Sequence, residues 1–255
     1  MVGIIGGTGF AGREGGEAPR TVHTRYGRAL LQDIELAGRP AVYLPRHGPE
    51  HTVPPHRINF RANIAALQAV GVRAVFATAA TGALKTELEP GALLVLDQFL
   101  DFTRARPLTF FEGEDGEVVH TDMTNPYCLR LRTRLLEAAR EEGLAVRKGG
   151  TYVCVEGPRF ETAAEIRMFA ALGGDVIGMT GVPEVVLARE AGLCYAAVAV
   201  VTNPGAGLSA ARPQHAEVER LMAERREDLW RLFEAAAPGA VVDWCESCRG
   251  AQGAS

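Results

Sequence analysis

The sequence predicts a layered α/β domain with a largely parallel or mixed sheet. Short apolar runs typical of buried strands alternate along the chain with segments of helical spacing. Of the 255 residues, 47% are hydrophobic, which is enough for one sizeable core. Because the sequence shows no linker, repeat or low-complexity segment, we expect one domain over residues 1–240 and a flexible C-terminal tail over 241–255.

The first elements follow this alternation closely. Residues 2–5 form an apolar run that ends in Gly6-Gly-Thr-Gly9, as a strand does on entering a turn. Buried strands are also predicted at 41–44 and 74–78. Between them, apolar residues recur at helical spacing over 59–70, and a glycine follows at the C-cap position. This part of the chain therefore predicts a strand–helix–strand unit.

The rest of the chain continues the pattern. Glycines or a proline stand at the ends of the periodic segments, and the Ala- and Val-rich run near residue 200 is suited to a central strand. Residues 98–109 are predicted to be irregular. The predicted strands are 93–96, 151–155, 176–179 and 195–201, and the predicted helices are 128–142, 162–172, 183–191 and 216–235.

Charge and hydropathy exclude some classes of partner. The net charge of −4 provides no global basic field for nucleic acid. No run of about 20 apolar residues is present to span a bilayer, and the N-terminus has no basic segment of the kind found in signal peptides. We therefore expect a cytoplasmic protein with neither nucleic acid nor a membrane as partner.

Two strand ends are candidates for anion binding. Thr8 lies in a glycine-rich turn whose amides and hydroxyl suit phosphate oxygens, although a purely structural turn is equally compatible and no P-loop lysine follows. Arg46 and His47 end another strand, and arginine is a natural bidentate partner of an oxyanion. His51 and His56 follow closely, but the stretch has no helical pattern and Glu50 is its one acidic residue, so an anion site or loop structure is favoured over a metal.

Other strand and helix ends offer room or polarity for a ligand. The small residues Ala79 and Ala80 leave space at the end of a strand, or simply allow close packing. Asn203 ends a buried strand before a glycine-rich loop, where it binds a ligand or serves the turn. Glu161 begins a helix, where the dipole favours a carboxylate in any case. His120 lies in a polar loop and is expected to be solvated.

The five cysteines show no complete metal motif within any local stretch. Cys128, Cys154 and Cys194 lie in apolar surroundings typical of reduced core cysteines. Cys245 and Cys248 form a CxxC near the C-terminus, and a zinc site would need two more ligands that are not evident nearby. A tail without a special role is therefore favoured over a disulfide or an accessory metal site.

Several specific motifs occur in a characteristic order. They are Ile4-Ile-Gly-Gly-Thr-Gly9, Arg46-His-Gly48 with His51, Asn59-Phe-Arg-Ala-Asn-Ile64, the segment from Pro90-Gly91 to Asp97-Gln-Phe99, Gly157-Pro-Arg-Phe160 and Val182-Pro-Glu-Val-Val-Leu-Ala188. From Val2 to roughly Leu232 the chain resembles the trimeric purine nucleoside phosphorylase and methylthioadenosine phosphorylase superfamily. The resemblance implies a single-domain, three-layer fold with a central mixed β-sheet flanked by helices.

The resemblance also implies a reaction. Members of the family cleave the glycosidic bond of a purine nucleoside with inorganic phosphate, giving a free base and a ribose 1-phosphate. Phosphate is a co-substrate, and no metal or organic cofactor is expected. A nucleosidase that uses water, and a purine-binding protein without activity, are less favoured because Arg46 and the Thr8 loop provide an anion clamp that neither would need.

The site residues implied by the resemblance fall into four groups. Asn203 is the implied catalytic residue, because it would hydrogen-bond the base near N7 and O6 as charge builds there. The implied phosphate ligands are Thr8, Arg46, His47, Ala79, Ala80 and Thr180. The implied base and ribose contacts are Phe160, Glu161, Met179, Asn203 and Gly205. The implied 5′-pocket consists of Val218 and of His120, which relatives lend across a subunit interface, so a homotrimer is expected, with a dimer of trimers as the alternative.

The polarity of two positions favours a 6-oxopurine. Adenine-type relatives carry an acidic acceptor at the position of Asn203 and another two residues later, where this chain has Gly205. Asn203 has an amide to donate to O6, and Glu161 has a carboxylate to accept from N1–H. At the sugar, Val218 suits a methylthio group, although His215 is close enough to be the residue that binds a 5′-hydroxyl. S-methyl-5′-thioinosine is the expected substrate, with inosine or guanosine and then methylthioadenosine as alternatives.

Overall fold

The computed structural model describes residues 1–12, 18–113, 116, 118–210, 212–242, 245 and 248. Within these residues one mixed sheet of 11 strands carries five α-helices. The strands are β1 Val2–Gly6, β2 Arg20–Thr24, β3 Gly27–Leu36, β4 Arg39–Pro45, β5 Ala74–Ala83, β6 Leu93–Val95, β7 Gln98–Phe102, β8 Val146–Lys148, β9 Thr151–Val155, β10 Val176–Gly178 and β11 Cys194–Pro204. The helices are α1 Phe60–Ala69, α2 Leu129–Glu141, α3 Ala163–Ala171, α4 Gly181–Glu190 and α5 His215–Ala236.

The sheet is built around β5. The strand order is β2-β3-β4-β1-β5-β10-β9-β7, and β11 pairs with β5 and leads to β6 and β8. The central part of the sheet is parallel: β1 pairs with β4 on one side and β5 on the other, and β5 pairs with β11. Strand β10 is antiparallel to β5. The mixed sheet with flanking helices confirms the predicted fold class.

Alternate residues of the central strands feed two hydrophobic layers. On β1, Ile4 packs into a core with α2 and α5, whereas Ile5 packs into a second core with α1 and α4. Side chains of a strand point to opposite faces in turn, so the sheet has a helical layer on each side. A third, smaller cluster joins α3 to β9 and β10 through Phe169 and Ile166.

Strand β5 separates from one neighbour before it ends. It pairs with β1 from Ala74 to Ala77 and then continues to Ala83 beside β11 and β10. The predicted strand stopped at residue 78, because the small residues that follow carry no strand signal of their own. The separation of β5 from β1 opens a crevice at the carboxyl ends of the strands, where α/β folds commonly bind ligands.

The prediction missed the short or exposed elements. Strands β2 and β3 form an antiparallel hairpin whose outer strand exposes much of its surface, so the sequence contains no buried run there. Strand β7 lies within the segment predicted to be irregular, and β8 has only three residues. Such strands are stabilised by pairing with neighbours rather than by their own apolar pattern.

Two cysteines of the segment predicted to be a tail are among the described residues. Most of the predicted tail over 241–255 lies outside the described residues, but Cys248 is buried in the core formed with α2 and α5. Among the described helices, none is both long enough and apolar enough to cross a membrane.

Candidate active site

The crevice beside β5 contains a cavity of about 380 Å³. This volume is in the range of a site for a small organic ligand. Residues from the ends of β1, β4, β5, β10 and β11 line it, together with the loop before α3 and the start of α5. The predicted site residues among its walls are Thr8, Arg46, His47, Ala80, Phe160, Glu161, Met179, Thr180, Asn203 and Val218.

One end of the cavity carries hydrogen-bond donors. Gly6 of β1 pairs with Pro45 of β4, so the chain segments that follow, with Thr8 and Arg46, leave the sheet side by side. The Gly7 amide donates to Thr78 Oγ1 at 3.3 Å, which holds the turn against β5. A side chain at Gly7 would come within 2.7 Å of the Arg46 guanidinium, so glycine allows this close approach.

Arg46 is held by a buried partner that the sequence analysis did not identify. Its Nε and Nη2 atoms donate to the two carboxylate oxygens of Glu184, each at 2.7 Å, and Nη1 donates to the Thr78 carbonyl at 2.9 Å. Burial acts to lower the pKa of Arg46, but the charge and hydrogen bonds of Glu184, together with the nearby tyrosines, outweigh it and raise that pKa overall. The Tyr195 hydroxyl also donates to Glu184, at 2.7 Å. The guanidinium is therefore fixed and permanently charged.

Histidines form one wall next to Arg46. His47 Nδ1 lies 2.8 Å from the Val53 carbonyl, which requires a proton on Nδ1 and turns Nε2 into an acceptor in the neutral ring. Burial lowers the pKa of His47 to about 4, so the ring is neutral near pH 7. His51 Nε2 lies 3.2 Å from Thr8 Oγ1, and the rings of His47 and His51 are 4.4 Å apart. His56 lies outside this cavity.

Thr180 stands at the N-cap of α4, facing the same end of the cavity. The amides of Thr180 and Gly181 both donate to the Tyr152 hydroxyl, at 3.1 and 3.2 Å. The Thr180 side chain makes no capping hydrogen bond to its own helix, so its hydroxyl remains available to the cavity. The backbone at Val182 is extended, so the regular turns of α4 begin after it, and the group that Thr180 offers to an anion is its hydroxyl.

The opposite end carries an amide and a carboxylate. Asn203 is 6% exposed, and its Nδ2 donates to the Pro204 carbonyl at 2.9 Å. The Thr202 hydroxyl lies 3.0 Å from Asn203 Oδ1, which orients the amide, and Nδ2 carries a second N–H besides the one directed at Pro204. Burial raises the pKa of Glu161, whose side chain lines the cavity. Phe160, 39% exposed, provides an aromatic surface beside it.

The register of β11 changes next to Asn203. Its pairing with β5 shifts between Val201 and Asn203, so both Thr202 and Asn203 line the cavity instead of alternating between the two faces. A strand read from its apolar pattern gives no sign of such a bulge.

Near the start of α5 the cavity has both an apolar and a polar wall. Val218 is buried there, and His215 lines the same region. His215 Nε2 lies 3.3 Å from Glu219, and its ring is 6.2 Å from that of His51. The sequence analysis offered Val218 or His215 as the residue that contacts the 5′ group of the sugar. Both residues line the cavity, so both remain candidates for that contact.

Three of the predicted site residues do not line the cavity in this chain. Ala79 is buried in the core, so only its backbone remains for a ligand role. Gly205 is covered, since a Cβ there would lie 2.6 Å from the Ala83 carbonyl and 3.0 Å from Ile166. His120 is exposed and lies away from the cavity walls. Sequence reasoning missed the supporting roles of Tyr152, Glu184 and Tyr195, which hold other site residues from buried positions. Glu184 stands in a quoted motif, but its contact with Arg46 is not visible in the sequence.

Comparison with known proteins settles the family. Residues 2–237 match the model of the phosphorylase superfamily. The chain belongs to that superfamily. The probable 6-oxopurine nucleoside phosphorylase of Dictyoglomus turgidum is 49% identical over 239 residues, covering 93% of this chain and 90% of that protein. The probable S-methyl-5′-thioinosine phosphorylase of Methanothermobacter thermautotrophicus is 48% identical over 240 residues, covering 92% and 83%.

Solved phosphorylase structures have the same fold. Methylthioadenosine phosphorylase from Schistosoma mansoni in complex with adenine matches this chain with a TM-score of 0.88 at 35% identity, covering 95% of this chain and 93% of that one. The family predicted from the motifs is thus confirmed.

Proposed function

We propose that this phosphorylase cleaves 6-oxopurine nucleosides with inorganic phosphate. The observation that carries the proposal is a single cavity with groups for both reactants. Donors for an anion lie at Thr8, Arg46 and Thr180, and the Glu161–Asn203 pair lies at the opposite end. The names of the two similar proteins given above agree with a 6-oxopurine base. The reaction consumes phosphate as co-substrate and requires no organic cofactor.

The chemistry follows from this polarity. Phosphate forms a bond to the sugar C1′ as the C1′–N9 bond breaks, and the electron pair of that bond passes into the purine. The sugar carries partial positive charge in between, so an anion held on one face stabilises it. The second N–H of Asn203 Nδ2 donates to the N7/O6 edge of the purine as negative charge builds there. Met179 lies along the ribose, and Phe160 packs against the base.

His47 adds a condition on the phosphate. Its neutral ring presents Nε2 as an acceptor, so the phosphate oxygen that faces it has to carry a proton. Monohydrogen phosphate satisfies both requirements, because its P–OH donates to His47 while its other oxygens accept from Arg46, Thr8 and Thr180.

The pocket discriminates against 6-aminopurines because it lacks the hydrogen-bond acceptors that an N6 amino group needs. An adenine-type site would need acceptors at Asn203 and at position 205. The covering of Gly205 by Ala83 and Ile166 leaves no room for a carboxylate there. Unmatched buried polar groups discriminate between substrates by orders of magnitude.

At the sugar we propose S-methyl-5′-thioinosine as the preferred substrate, because Val218 buries an apolar surface beside the cavity. Inosine and guanosine are the second candidate, favoured by His215, which lies close enough to the same region to bind a 5′-hydroxyl. We further propose a homotrimer, in which His120 of one chain completes the 5′-pocket of its neighbour.

The deciding experiment is phosphate-dependent base release from methylthioinosine, methylthioadenosine, inosine and guanosine, assayed side by side. We expect kcat/KM to be highest for methylthioinosine. Preference for inosine or guanosine would retain the base assignment and make His215 the 5′ determinant. Preference for methylthioadenosine would overturn the Glu161–Asn203 argument, and base release without phosphate would overturn phosphorolysis itself.

A further inference from the structure

Four of the five cysteines meet where the start of β11, the start of α2 and the C-terminal segment come together. The sulfur atoms of Cys128, Cys194, Cys245 and Cys248 all lie within 4.8 Å of one another. The sulfur of Cys245 is 3.7 Å from that of Cys128 and 3.7 Å from that of Cys248. Across the described part of the chain, which includes all five cysteines, no two are joined by a disulfide.

These separations fit a metal ion at the centre of the cluster. Four thiolates at about 2.3 Å from a tetrahedral Zn²⁺ lie about 3.8 Å from one another, whereas disulfide sulfurs lie about 2.05 Å apart. The sulfur atoms therefore need only a small inward movement to reach zinc geometry. Soft thiolate ligands in a tetrahedral set are characteristic of zinc. We propose that Cys128, Cys194, Cys245 and Cys248 bind one Zn²⁺ ion as a four-thiolate structural site.

Two of the ligands are fixed by regular structure before any metal binds. Cys128 is the N-cap residue of α2, and its amide donates to the Tyr195 carbonyl at 2.8 Å, which ties the helix start to the first residues of β11. Cys194 is the first residue of β11. Both are buried, at 1% and 5% exposure, so the half-site they form is rigid and shielded from water.

The other two ligands come from one tight turn. Cys245 and Cys248 have the CxxC spacing common in structural zinc sites, and the Cys248 amide donates to the Cys245 carbonyl at 3.0 Å. Cys248 is itself only 3% exposed. This segment therefore brings one buried and one partly buried thiol to the buried pair from the core.

The surroundings suit the charge of such a site. Four thiolates and one zinc ion carry two net negative charges, and Arg130 lies next to them with Nη2 3.6 Å from Cys194 Sγ. The same guanidinium donates to the carbonyls of Gly239 and Ala240 at 2.6 and 2.7 Å, just before the chain reaches Cys245.

The position of the site assigns it a structural role. Cys194 begins β11 and Asn203 lies near its other end, roughly 30 Å away at about 3.3 Å per residue. Four protein ligands leave no open coordination position for a substrate. Zinc would therefore clamp the C-terminal segment onto α2 and β11, and its binding free energy would add to the stability of the folded chain.

The test is metal analysis of the full-length protein purified under reducing conditions. We expect one zinc per chain after dialysis, complete loss of that zinc in Cys248→Ser, and full retention in Cys154→Ala, which removes the one cysteine outside the cluster. A zinc chelator should lower the thermal midpoint of the wild type by roughly 5–10 °C. It should leave that of Cys248→Ser unchanged.

A second measurement covers the case in which Cys248→Ser fails to fold. Wild-type protein loaded with Co²⁺ should show the visible absorption of tetrahedral cobalt and the thiolate-to-cobalt charge-transfer band. Absence of that band, or two disulfides among these four cysteines in wild-type protein that binds no zinc, would overturn the proposal. Iron in place of zinc would overturn the choice of metal.

Discussion

At the scale of single residues, specificity for the base depends on which atoms donate and which accept. Asn203 is oriented by Thr202 and Pro204, and Glu161 is a half-buried carboxylate whose pKa burial raises. Neither role is visible in hydrophobic periodicity. Both were predicted because the two residues stand in recognisable motifs, and the structure brings them into the same cavity.

Reversing the hydrogen-bond polarity at positions 161 and 203 should shift the preference from 6-oxopurines toward 6-aminopurines. In the double variant Asn203→Asp, Glu161→Ser, the ratio of kcat/KM for methylthioadenosine to that for methylthioinosine should rise by about two orders of magnitude. The acceptor at 203 would then match the N6 donor of a 6-aminopurine. Asn203→Ala serves as the control, since it should lower turnover of both substrates without reversing the preference. An unchanged ratio in the double variant would contradict the polarity argument.

The pH dependence should report on Glu161. Burial raises the pKa of this carboxyl, so protonation on acidification begins at a higher pH than for an exposed glutamate. Because protonation removes the negative charge that strengthens the hydrogen bond from N1–H and turns one carboxyl oxygen into a donor, kcat/KM for a 6-oxopurine should fall as pH decreases through that raised pKa. Glu161→Gln keeps an acceptor oxygen that does not titrate. The ratio of wild-type to variant kcat/KM should therefore fall on the acidic side, and a ratio independent of pH would exclude Glu161 from the titration.

At the scale of elements, the buried Arg46–Glu184 pair joins the end of β4 to the first turn of α4. The side chains are 2% and 1% exposed, and the two hydrogen bonds of the pair connect positions 138 residues apart. The pair thus fixes the Arg46 donor relative to Thr180, which begins the same helix. Arg46 and Glu184 belong to two separate sequence motifs, and neither motif shows that the two side chains are in contact.

Removal of one partner should be costly. Glu184→Ala leaves a buried guanidinium without its counter-charge, and we expect a loss of about 3–5 kcal/mol in the free energy of unfolding. The matched control is Glu224→Ala, which breaks an exposed Arg–Glu pair with Arg220 on α5 and should cost less than about 1 kcal/mol. Urea denaturation of the three proteins checks this, and equal losses in both variants would contradict it.

The same scale shows why some elements could be predicted and others could not. Helix α1 has apolar spacing, Asn59 as an N-cap whose side chain accepts from the Ala62 amide, and a glycine after its end, so every local signal agrees. Strand β2 has none of these signals, because its formation depends on pairing with β3. The extension of β5 and the bulge in β11 likewise depend on neighbouring strands. These two irregularities shape the cavity, so the sequence predicted the residues of the site better than its geometry.

At the scale of the whole molecule, the cysteine cluster shows the limit of local reasoning. The sulfurs of Cys128 and Cys245 meet across a separation of 117 residues, and nothing near the CxxC indicates where its partners lie. Only the packing of α2 and α5 against β11 brings the four thiols together. The resemblance to the family did not supply this information either, because it ends near Leu232.

The proposed trimer makes a prediction about the assembly. If His120 serves the pocket of a neighbouring chain, His120→Ala should lower kcat/KM by about tenfold through loss of one hydrogen bond. Co-expression of His120→Ala chains with Asn203→Ala chains should restore about a quarter of the sites to wild-type composition, since a cyclic assembly pairs each chain with a different donor. Activity of the mixture equal to the mean of the two separate variants would contradict sharing. His56→Ala, an exposed histidine outside the cavity, is the control.

The neutrality of the Arg46–Glu184 pair also affects how phosphate arrives. The two charges cancel within the protein, and the chain as a whole carries −4, so no extended positive field draws the anion from a distance. Phosphate binding then depends on hydrogen-bond donors of Thr8 and of Thr180 at the start of α4, which act at contact distance and are only weakly screened by dissolved ions. The KM for phosphate should therefore change little between low and high ionic strength. We therefore expect the affinity of this phosphorylase for phosphate to stay nearly constant over a wide range of salt concentrations.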